Sequence, residues 1–159
     1  LDIVLHVVKS PVKSINANGV SVLSNTPDIA NARIEFINGC VANITSSRMS
    51  LNNVRKSRFF QKNAYVSVDF LNRSHEFIRL DSNKIPYDKI SVSKPNFKPK
   101  ESVIIQTESI STINPIEEEL KSFLNSIESN INPIVDLKAA QMALQLTTDV
   151  MEQITMGQN

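Results

Sequence analysis

Ala32-Arg33-Ile34-Glu35-Phe36, followed closely by Asn38-Gly39, is the stretch that decides the fold. Its apolar and polar residues alternate with the period of a strand that is buried on one side only. Asn-Gly is the strongest short hairpin signal, because both turn residues must accept a positive φ. The stretch therefore predicts a β-hairpin whose return strand covers residues 40–47.

Further strands are predicted on both sides of this hairpin. Upstream, Ile15, Val20 and Val22 are β-branched residues with polar neighbours. Downstream, four runs rich in strand-forming residues are separated by polar turns or by a longer connection. These runs are 54–61, 65–71, 76–80 and 102–109. The segment 81–100 contains Pro86, Pro95 and Pro99 and is predicted as a loop or an edge excursion.

Helices are predicted at both ends of the chain. Residues 1–9 could be a buried strand or the end of a helix that begins upstream, and the helix is favoured. Pro11 ends this element, because proline lacks a backbone donor. Asn114-Pro115-Ile116-Glu117 has the cap, first-turn proline and third-position glutamate of a helix N-terminus. The apolar stripe of that helix is Ile116, Leu120, Phe123, Leu124 and Ile127.

A last helix is predicted to start at Asp136 and to end at Gly157. Its predicted core side is Leu137, Ala140, Leu144, Met151 and Ile154. The order of helix, many strands and two helices predicts the α+β class. We expect an open-faced, mostly antiparallel sheet with helices packed on one face.

Composition limits the possible functions. The chain has 159 residues, which fit one domain over 1–159, and 17 basic against 16 acidic residues give no field for nucleic acid or an anionic membrane. Three widely separated glycines leave no phosphate-binding loop for a cofactor. One cysteine and two histidines cannot form a common metal site, so no metal is expected. The single cysteine favours a reducing, cytoplasmic location.

Three single residues deserve a functional and a structural interpretation. Cys40 has no visible base nearby, so we interpret it as a packing residue. His6 lies four residues after Asp2 and could be an oriented imidazole, but a helix-surface or core histidine is the favoured interpretation. His75, at a strand start, is predicted to be solvated.

A basic group provides the candidate binding residues. Arginine can hold a carboxylate or phosphate through two parallel hydrogen bonds, and strand ends are where sites are usually built. The candidates for substrate binding are Ser46, Arg48, Arg55 and Arg58. The alternative is an ordinary solvated strand face.

Four strings together resemble a known family. They are Asp28-Ile29-Ala30-Asn31-Ala32-Arg33-Ile34-Glu35-Phe36, Asn38-Gly39-Cys40-Val41-Ala42-Asn43-Ile44-Thr45-Ser46-Ser47-Arg48, Arg55-Lys56-Ser57-Arg58-Phe59-Phe60-Gln61 and Ala64-Tyr65-Val66-Ser67-Val68-Asp69-Phe70. The chain is similar to the C-terminal half of the Gfo/Idh/MocA oxidoreductases, which use NAD or NADP. The resemblance implies the substrate-binding and oligomerisation domain, with a fold like the C-terminal domain of glyceraldehyde-3-phosphate dehydrogenase.

The resemblance also implies what this chain lacks. The family's Rossmann domain, with its cofactor, and its Asp-x-x-x-His motif would precede Leu1. We therefore expect no catalytic residue and no cofactor in this chain, and an inactive isolated fragment; His6 does not take the catalytic role.

In the parent enzyme the resemblance implies hydride transfer to or from a sugar or nucleotide sugar, and a homo-oligomer formed through the sheet face. Two alternatives stay open. One is a non-catalytic module that only pairs subunits. The other is NAD-assisted glycoside hydrolysis by the same family.

Overall fold

The computed structural model describes residues 1–62, 64–81, 102–109 and 113–157. Three helices and seven strands are present in these residues, so the α+β class is confirmed. They are α1 (Asp2–Val8), β1 (Val12–Val20), β2 (Ile29–Phe36), β3 (Val41–Ser47), β4 (Lys56–Gln61), β5 (Ala64–Asp69), β6 (Ser74–Asp81), β7 (Ser102–Ser109), α2 (Pro115–Glu128) and α3 (Leu137–Met156). Apart from Asp81, which ends β6, the loop predicted over 81–100 lies outside the described residues.

The strands form two antiparallel sheets. Sheet A has the order β1-β2-β3, and sheet B has the order β4-β5-β6-β7. The chain divides into two units, Leu1–Leu51 with Glu119–Asn159, and Asn52–Glu118, which are described separately. The single open sheet expected from the sequence is thus found as a three-stranded and a four-stranded sheet.

The predicted hairpin forms the centre of the first unit. Gly39 takes a positive φ of 84°, and the backbone N–H of Phe36 donates to the carbonyl of Cys40 over 2.9 Å. β2 and β3 then pair from Glu35 opposite Val41 to Ile29 opposite Ser47. This register puts Ala32, Ile34 and Phe36 on the buried side, as the alternation predicts.

The core of this unit lies between sheet A and the helices α1 and α3. Ile34, Phe36 and Leu146 are its buried residues, and partly buried side chains from α1, β1, β3 and α3 surround them. Since α3 packs on β1, the helices cover one face of sheet A. Leu5, Val8 and Val150 are among the partly buried side chains that pack against this core.

The inward side of α3 differs from the predicted one. Leu146 and Ile154 are buried, whereas Leu137, Leu144 and Met151 are exposed. Asp136 caps the helix as predicted, its carboxylate accepting a hydrogen bond from the N–H of Ala139 over 2.8 Å. The predicted start and the predicted burial of Ile154 are therefore correct. The predicted burial of Leu137, Ala140, Leu144 and Met151 is wrong, because apolar residues lie on both faces of the helix and Leu146 is the buried leucine.

The apolar stripe predicted on α2 is also not buried. Ile116, Leu120, Phe123, Leu124 and Ile127, named the α2 stripe from here on, are all exposed. The buried side chain of the helix is Ser126, whose hydroxyl donates to the carbonyl of Ser122 over 2.9 Å. Asn114 accepts from the N–H of Ile116 over 3.1 Å, so the predicted cap is present.

Sheet B has two different faces. Phe59, Val66 and Phe77 are neighbours on one face through the register of β4, β5 and β6. On the other face the rings of Phe60 and Tyr65 lie 5.0 Å apart. Ser67 is buried on that second face, and its hydroxyl has no hydrogen-bond partner among the described residues.

Candidate functional site

The end of β3 holds the first two candidate binding residues. Ser46 is exposed and pairs with Ala30 of β2, one step before the strand ends. Arg48 follows the strand, and its backbone N–H donates to the carbonyl of Asp28 over 3.0 Å. The strand pairing thus carries both residues to the connection between β1 and β2.

Asp28 organises that connection. Its Oδ2 accepts hydrogen bonds from the backbone N–H groups of Val22 and Leu23, both over 2.7 Å, and of Ser24 over 3.2 Å. Its Oδ1 accepts from the hydroxyl of Ser24 over 3.1 Å. The bonds from Leu23 and Val22 lower the pKa of Asp28 to about 2, against the opposing effect of burial. The carboxylate is therefore charged at neutral pH.

Arg48 is oriented by the same connection. Its Nε lies 3.2 Å from Oδ1 of Asp28, and its Nη2 donates to the carbonyl of Pro27 over 2.9 Å and to Oγ1 of Thr26 over 3.1 Å. The Arg48 side chain is still 59% exposed. Its guanidinium is therefore held in one orientation at the surface, with its charge paired to that of Asp28.

The other two candidates belong to the second unit. Arg55 comes just before β4, and its carbonyl accepts from the N–H of Phe70 over 2.8 Å. Arg58 is exposed on β4, where the register places it opposite Ser67. Ser46 and Arg48 therefore belong to the first unit, and Arg55 and Arg58 to the second.

Lys56 continues the basic row of β4 and pairs with Asp69 in the register of the strands. Hydrogen bonds from the backbone and side chain of Asn72 lower the pKa of Asp69, and a bond from Leu71 and the charge of Lys56 add to this. The carboxylate of Asp69 closes the turn after β5. Arg55, Lys56 and Arg58 are all exposed to solvent.

Known proteins share this fold. UDP-N-acetylglucosamine 3-dehydrogenase of Acidithiobacillus ferrooxidans is 31% identical over 86 residues, which are 54% of this chain and 28% of that protein. A solved structure of that enzyme superposes with a TM-score of 0.81 at 24% identity, covering 96% of this chain and 45% of the other. The chain matches a fragment of the Gfo/Idh/MocA-type NAD-dependent dehydrogenases.

Two other solved structures share the fold of this chain. An NAD-binding protein from Listeria innocua has a TM-score of 0.67 at 20% identity, over 98% of this chain and 47% of the other. A levoglucosan dehydrogenase in complex with NADH and L-sorbose has a TM-score of 0.65 at 12% identity, over 91% and 43%. The fragment thus spans less than half the length of the proteins it matches. No protein-family model matches it.

The three glycines of this chain occupy structural positions in the fold. Gly19 lies in β1, where a Cβ atom would come within 2.7 Å of Cγ2 of Ile154. Gly39 forms the hairpin turn, and Gly157 ends α3. None of the three lies in a turn from a strand to a helix N-terminus, which is where a dinucleotide pyrophosphate binds.

The single-residue interpretations have mixed outcomes. Cys40 is exposed, so its interpretation as a packing residue is wrong; it follows the hairpin turn, at the solvent-facing end of the sheet. His6 is exposed on α1, as a surface histidine should be. His75 is half-buried in β6 opposite Val68, so the prediction that it is solvated is wrong.

The described residues contain no cluster of ligands for a metal ion and no helix long and apolar enough to cross a membrane.

Sequence reasoning missed Asp28 as the residue that fixes Arg48. The available signal was the run Ser24-Asn25-Thr26-Pro27-Asp28, since short polar side chains in such runs bond to nearby backbone N–H groups. The outer face of sheet A was another feature not foreseen in detail. It is polar, and two cross-strand bonds link its side chains, from Arg33 to Asn43 over 3.3 Å and from Thr45 to Asn31 over 2.9 Å.

Proposed function

We propose that this chain is the C-terminal, substrate-binding domain of an NAD(P)-dependent oxidoreductase that acts on a hydroxyl or keto group of a nucleotide sugar. The observation that carries the proposal is the match to UDP-N-acetylglucosamine 3-dehydrogenase, in sequence over 86 residues and in fold over 96% of the chain. In this proposal a separate Rossmann domain of the parent protein holds NAD or NADP. The isolated chain is inactive, and the parent works in the cytoplasm.

Ser46, Arg48, Arg55 and Arg58 are the proposed substrate-binding residues. The supporting observation is that Arg48 is exposed yet held by Asp28 and Pro27, so its guanidinium is oriented before a ligand arrives. Arg58 is a candidate of the other unit, with an exposed guanidinium on β4. A nucleotide sugar carries two adjacent phosphates, and guanidinium groups bind phosphate oxygens through paired, charge-assisted hydrogen bonds.

The proposal includes a homo-oligomer formed through the sheet face. The outer face of sheet A offers Asn31, Arg33, Asn43 and Thr45, whose side chains are exposed and arranged in a regular cross-strand pattern. Such a face can pair with its own symmetry copy through hydrogen bonds and bridging water. Light scattering on the parent protein measures its mass in solution. We expect an oligomer for the wild type and a smaller species for Arg33→Glu, and a monomeric wild type would reject the oligomer.

The deciding experiment uses the parent gene and the isolated chain side by side. The sequence upstream of Leu1 is expected to encode a Rossmann domain with its glycine fingerprint. The parent protein is then mixed with NAD⁺ or NADP⁺ and UDP-N-acetylglucosamine, and the absorbance of reduced nicotinamide is followed. N-acetylglucosamine without the nucleotide is the matched substrate control.

We expect nicotinamide reduction by the parent with the nucleotide sugar, much less with the free sugar, and none by the isolated chain. Release of a free sugar with no net change in nicotinamide would instead favour NAD-assisted hydrolysis. A parent without a dinucleotide-binding domain would reject the oxidoreductase and leave the subunit-pairing module as the better function.

A further inference from the structure

The chain contains two Asn-Gly pairs, Asn18-Gly19 and Asn38-Gly39. An asparagine loses its side-chain amide when the backbone nitrogen of the next residue attacks its Cγ atom, and glycine leaves this approach unhindered because it has no side chain. Asn18 and Asn38 are both exposed to solvent. Since the two pairs have the same intrinsic chemistry, their surroundings in the fold decide which of them reacts.

Asn18-Gly19 is held inside a strand. Both residues lie in β1 and are paired with β2. The reaction needs the side chain to turn back onto the following backbone nitrogen, whereas an extended strand directs the side chain away from the sheet. The backbone at Gly19 is also closely packed, because a Cβ atom there would come within 2.7 Å of Cγ2 of Ile154 and 3.0 Å of Cβ of Pro27. Strand pairing and packing therefore both oppose the reaction at Asn18.

Asn38-Gly39 lies in the hairpin turn, where the surroundings are open. Gly39 is exposed, and a Cβ atom placed on it would meet nothing within 4 Å beyond its chain neighbours. The backbone N–H of Gly39 donates to the carbonyl of Phe36 over 3.0 Å, and Oδ1 of Asn38 accepts from the N–H of Cys40 over 3.0 Å. Both bonds lie within the turn, so a local opening of the turn releases the two reacting groups.

Asn38 has two further contacts, both near the end of α1. Its Nδ2 donates to the carbonyl of Val8 over 3.4 Å, and its backbone N–H donates to Oγ of Ser10 over 3.2 Å. The first of these bonds is longer than most hydrogen bonds in proteins. The amide that has to leave is therefore held to α1 by a weak bond.

We propose that Asn38 undergoes spontaneous deamidation in the folded protein, whereas Asn18 is protected by β1. The backbone nitrogen of Gly39 forms a bond to Cγ of Asn38, its proton passes through solvent to Nδ2, and Nδ2 leaves as ammonia. The product of this step is a succinimide ring. Water then opens the ring at either carbonyl and gives aspartate or isoaspartate at position 38. Water is the only co-reactant, and no oxidant or reductant is needed.

The product changes the attachment of the hairpin to α1. A carboxylate at position 38 cannot donate to the carbonyl of Val8, and the negative end of the helix dipole disfavours an anion at that place. We therefore expect the last turn of α1 to be held less firmly after deamidation. The backbone N–H of Lys9, which donates to the carbonyl of Leu5 over 3.1 Å, reports on that turn.

Peptide mapping of the full-length protein tests the site. Trypsin cleaves after Lys13, Arg33 and Arg48, so Asn18 and Asn38 fall in different peptides. The protein is incubated at neutral and at mildly alkaline pH, once folded and once unfolded in guanidinium chloride. Mass spectrometry measures the loss of each amide, and an isoaspartyl methyltransferase detects the isoaspartate product. Asn38→Gln is the control, because glutamine would have to form a larger ring.

We expect deamidation at Asn38 to be faster than at Asn18 by about ten-fold or more in the folded protein, and the two rates to be similar in the unfolded protein. The rate at Asn38 should rise with pH, since the attacking nitrogen has to lose its proton. Equal rates at the two sites of the folded protein would overturn the proposal, as would protection of both. Aspartate formed without isoaspartate would reject the ring. Isoaspartate that persists in Asn38→Gln would come from Asn43 in the same peptide and would also overturn the proposal.

Hydrogen exchange tests the effect on α1. In Asn38→Asp the N–H of Lys9 should exchange about five-fold faster than in the wild type, which corresponds to the loss of one hydrogen bond. Asn18→Asp places the same charge on β1 and is the matched control, with exchange at Lys9 unchanged. Equal exchange at Lys9 in both variants would overturn the effect on α1.

Discussion

Arg48 and Asp28 are joined over 3.2 Å, from Nε of an exposed guanidinium to Oδ1 of a carboxylate whose side chain is only 1% exposed. Asp28 also holds three consecutive backbone N–H groups, from Val22 to Ser24. The pair therefore fixes the end of β3 to the β1–β2 connection. The pair connects these two segments and, in the proposed enzyme, orients the substrate-binding side chain of Arg48.

Replacing Asp28 with asparagine is expected to destabilise the chain. The amide keeps one acceptor oxygen but loses the charge, and its NH₂ group would face donors such as the Ser24 hydroxyl and Arg48. The urea midpoint should fall clearly. Glu35→Gln is the matched control, because the side chains of its 3.4 Å pair with Arg33 are 51% and 34% exposed for Arg33 and Glu35, and pairs near solvent contribute little. Equal midpoints for both variants would contradict the role of Asp28.

Stability should also depend on pH through Asp28. Its pKa is lowered to about 2 from an ordinary value of 3.8, so the unfolded chain binds the proton more readily than the folded one. The contribution of the charged group is complete above its ordinary pKa and is lost as pH falls from about 4 towards about 2. Unfolding free energies measured across this range should show a shallower slope for Asp28→Asn than for the wild type.

The contrast between the hairpin and the helices explains what the sequence could predict. The alternation from Ala32 to Phe36 places Ile34 on the buried face in only one orientation of the strand. Asn38-Gly39 fixes the turn and with it the register of β2 and β3. The strand, its register and its buried face therefore follow from local residues.

The apolar residues of α3 lie on more than one face, so periodicity predicts the helix and leaves its rotation undetermined. Those of α2 form one stripe, the α2 stripe, but the pattern does not show what the stripe packs against, and its side chains are exposed. The role of Asp28 needed the tertiary structure, because Arg48 lies far from it in sequence.

The inward face of α3 can be measured with two leucines. Leu146 is 3% exposed and Leu144 is 69% exposed. The two residues are about half a helical turn apart, so their side chains lie on opposite sides of α3. Leu146→Ala should lower the free energy of unfolding by about 2–5 kcal/mol, because it leaves a cavity beside Ile34 and Phe36. Leu144→Ala should change it by about 0.5 kcal/mol or less. The reverse order in chemical denaturation would mean that the sequence-predicted face was correct.

Close packing at Gly19 gives a test of the contact between β1 and α3. A Cβ atom there would come within 2.7 Å of Cγ2 of Ile154 and 3.0 Å of Cβ of Pro27. Gly19→Ala should therefore lower the free energy of unfolding by about 1–3 kcal/mol through overpacking. Ile154→Leu removes the Cγ2 methyl group that the new Cβ atom at position 19 would meet. Gly19→Ala should therefore lower the free energy of unfolding by less in the Ile154→Leu background. An identical cost in both backgrounds would show that this contact is not the cause.

Arg58 provides the test of the proposed substrate site in the parent enzyme. Arg58→Gln removes a charge-assisted pair of hydrogen bonds to phosphate, and KM for the nucleotide sugar should rise about ten-fold or more. Since the substrate and the transition state carry the same phosphates, kcat should change little. Lys138→Gln, a charge change on α3, is the matched control and should leave both constants unchanged. Steady-state kinetics with an unaltered KM for Arg58→Gln would remove Arg58 from the site and leave Arg48 and Arg55 as the candidate phosphate ligands.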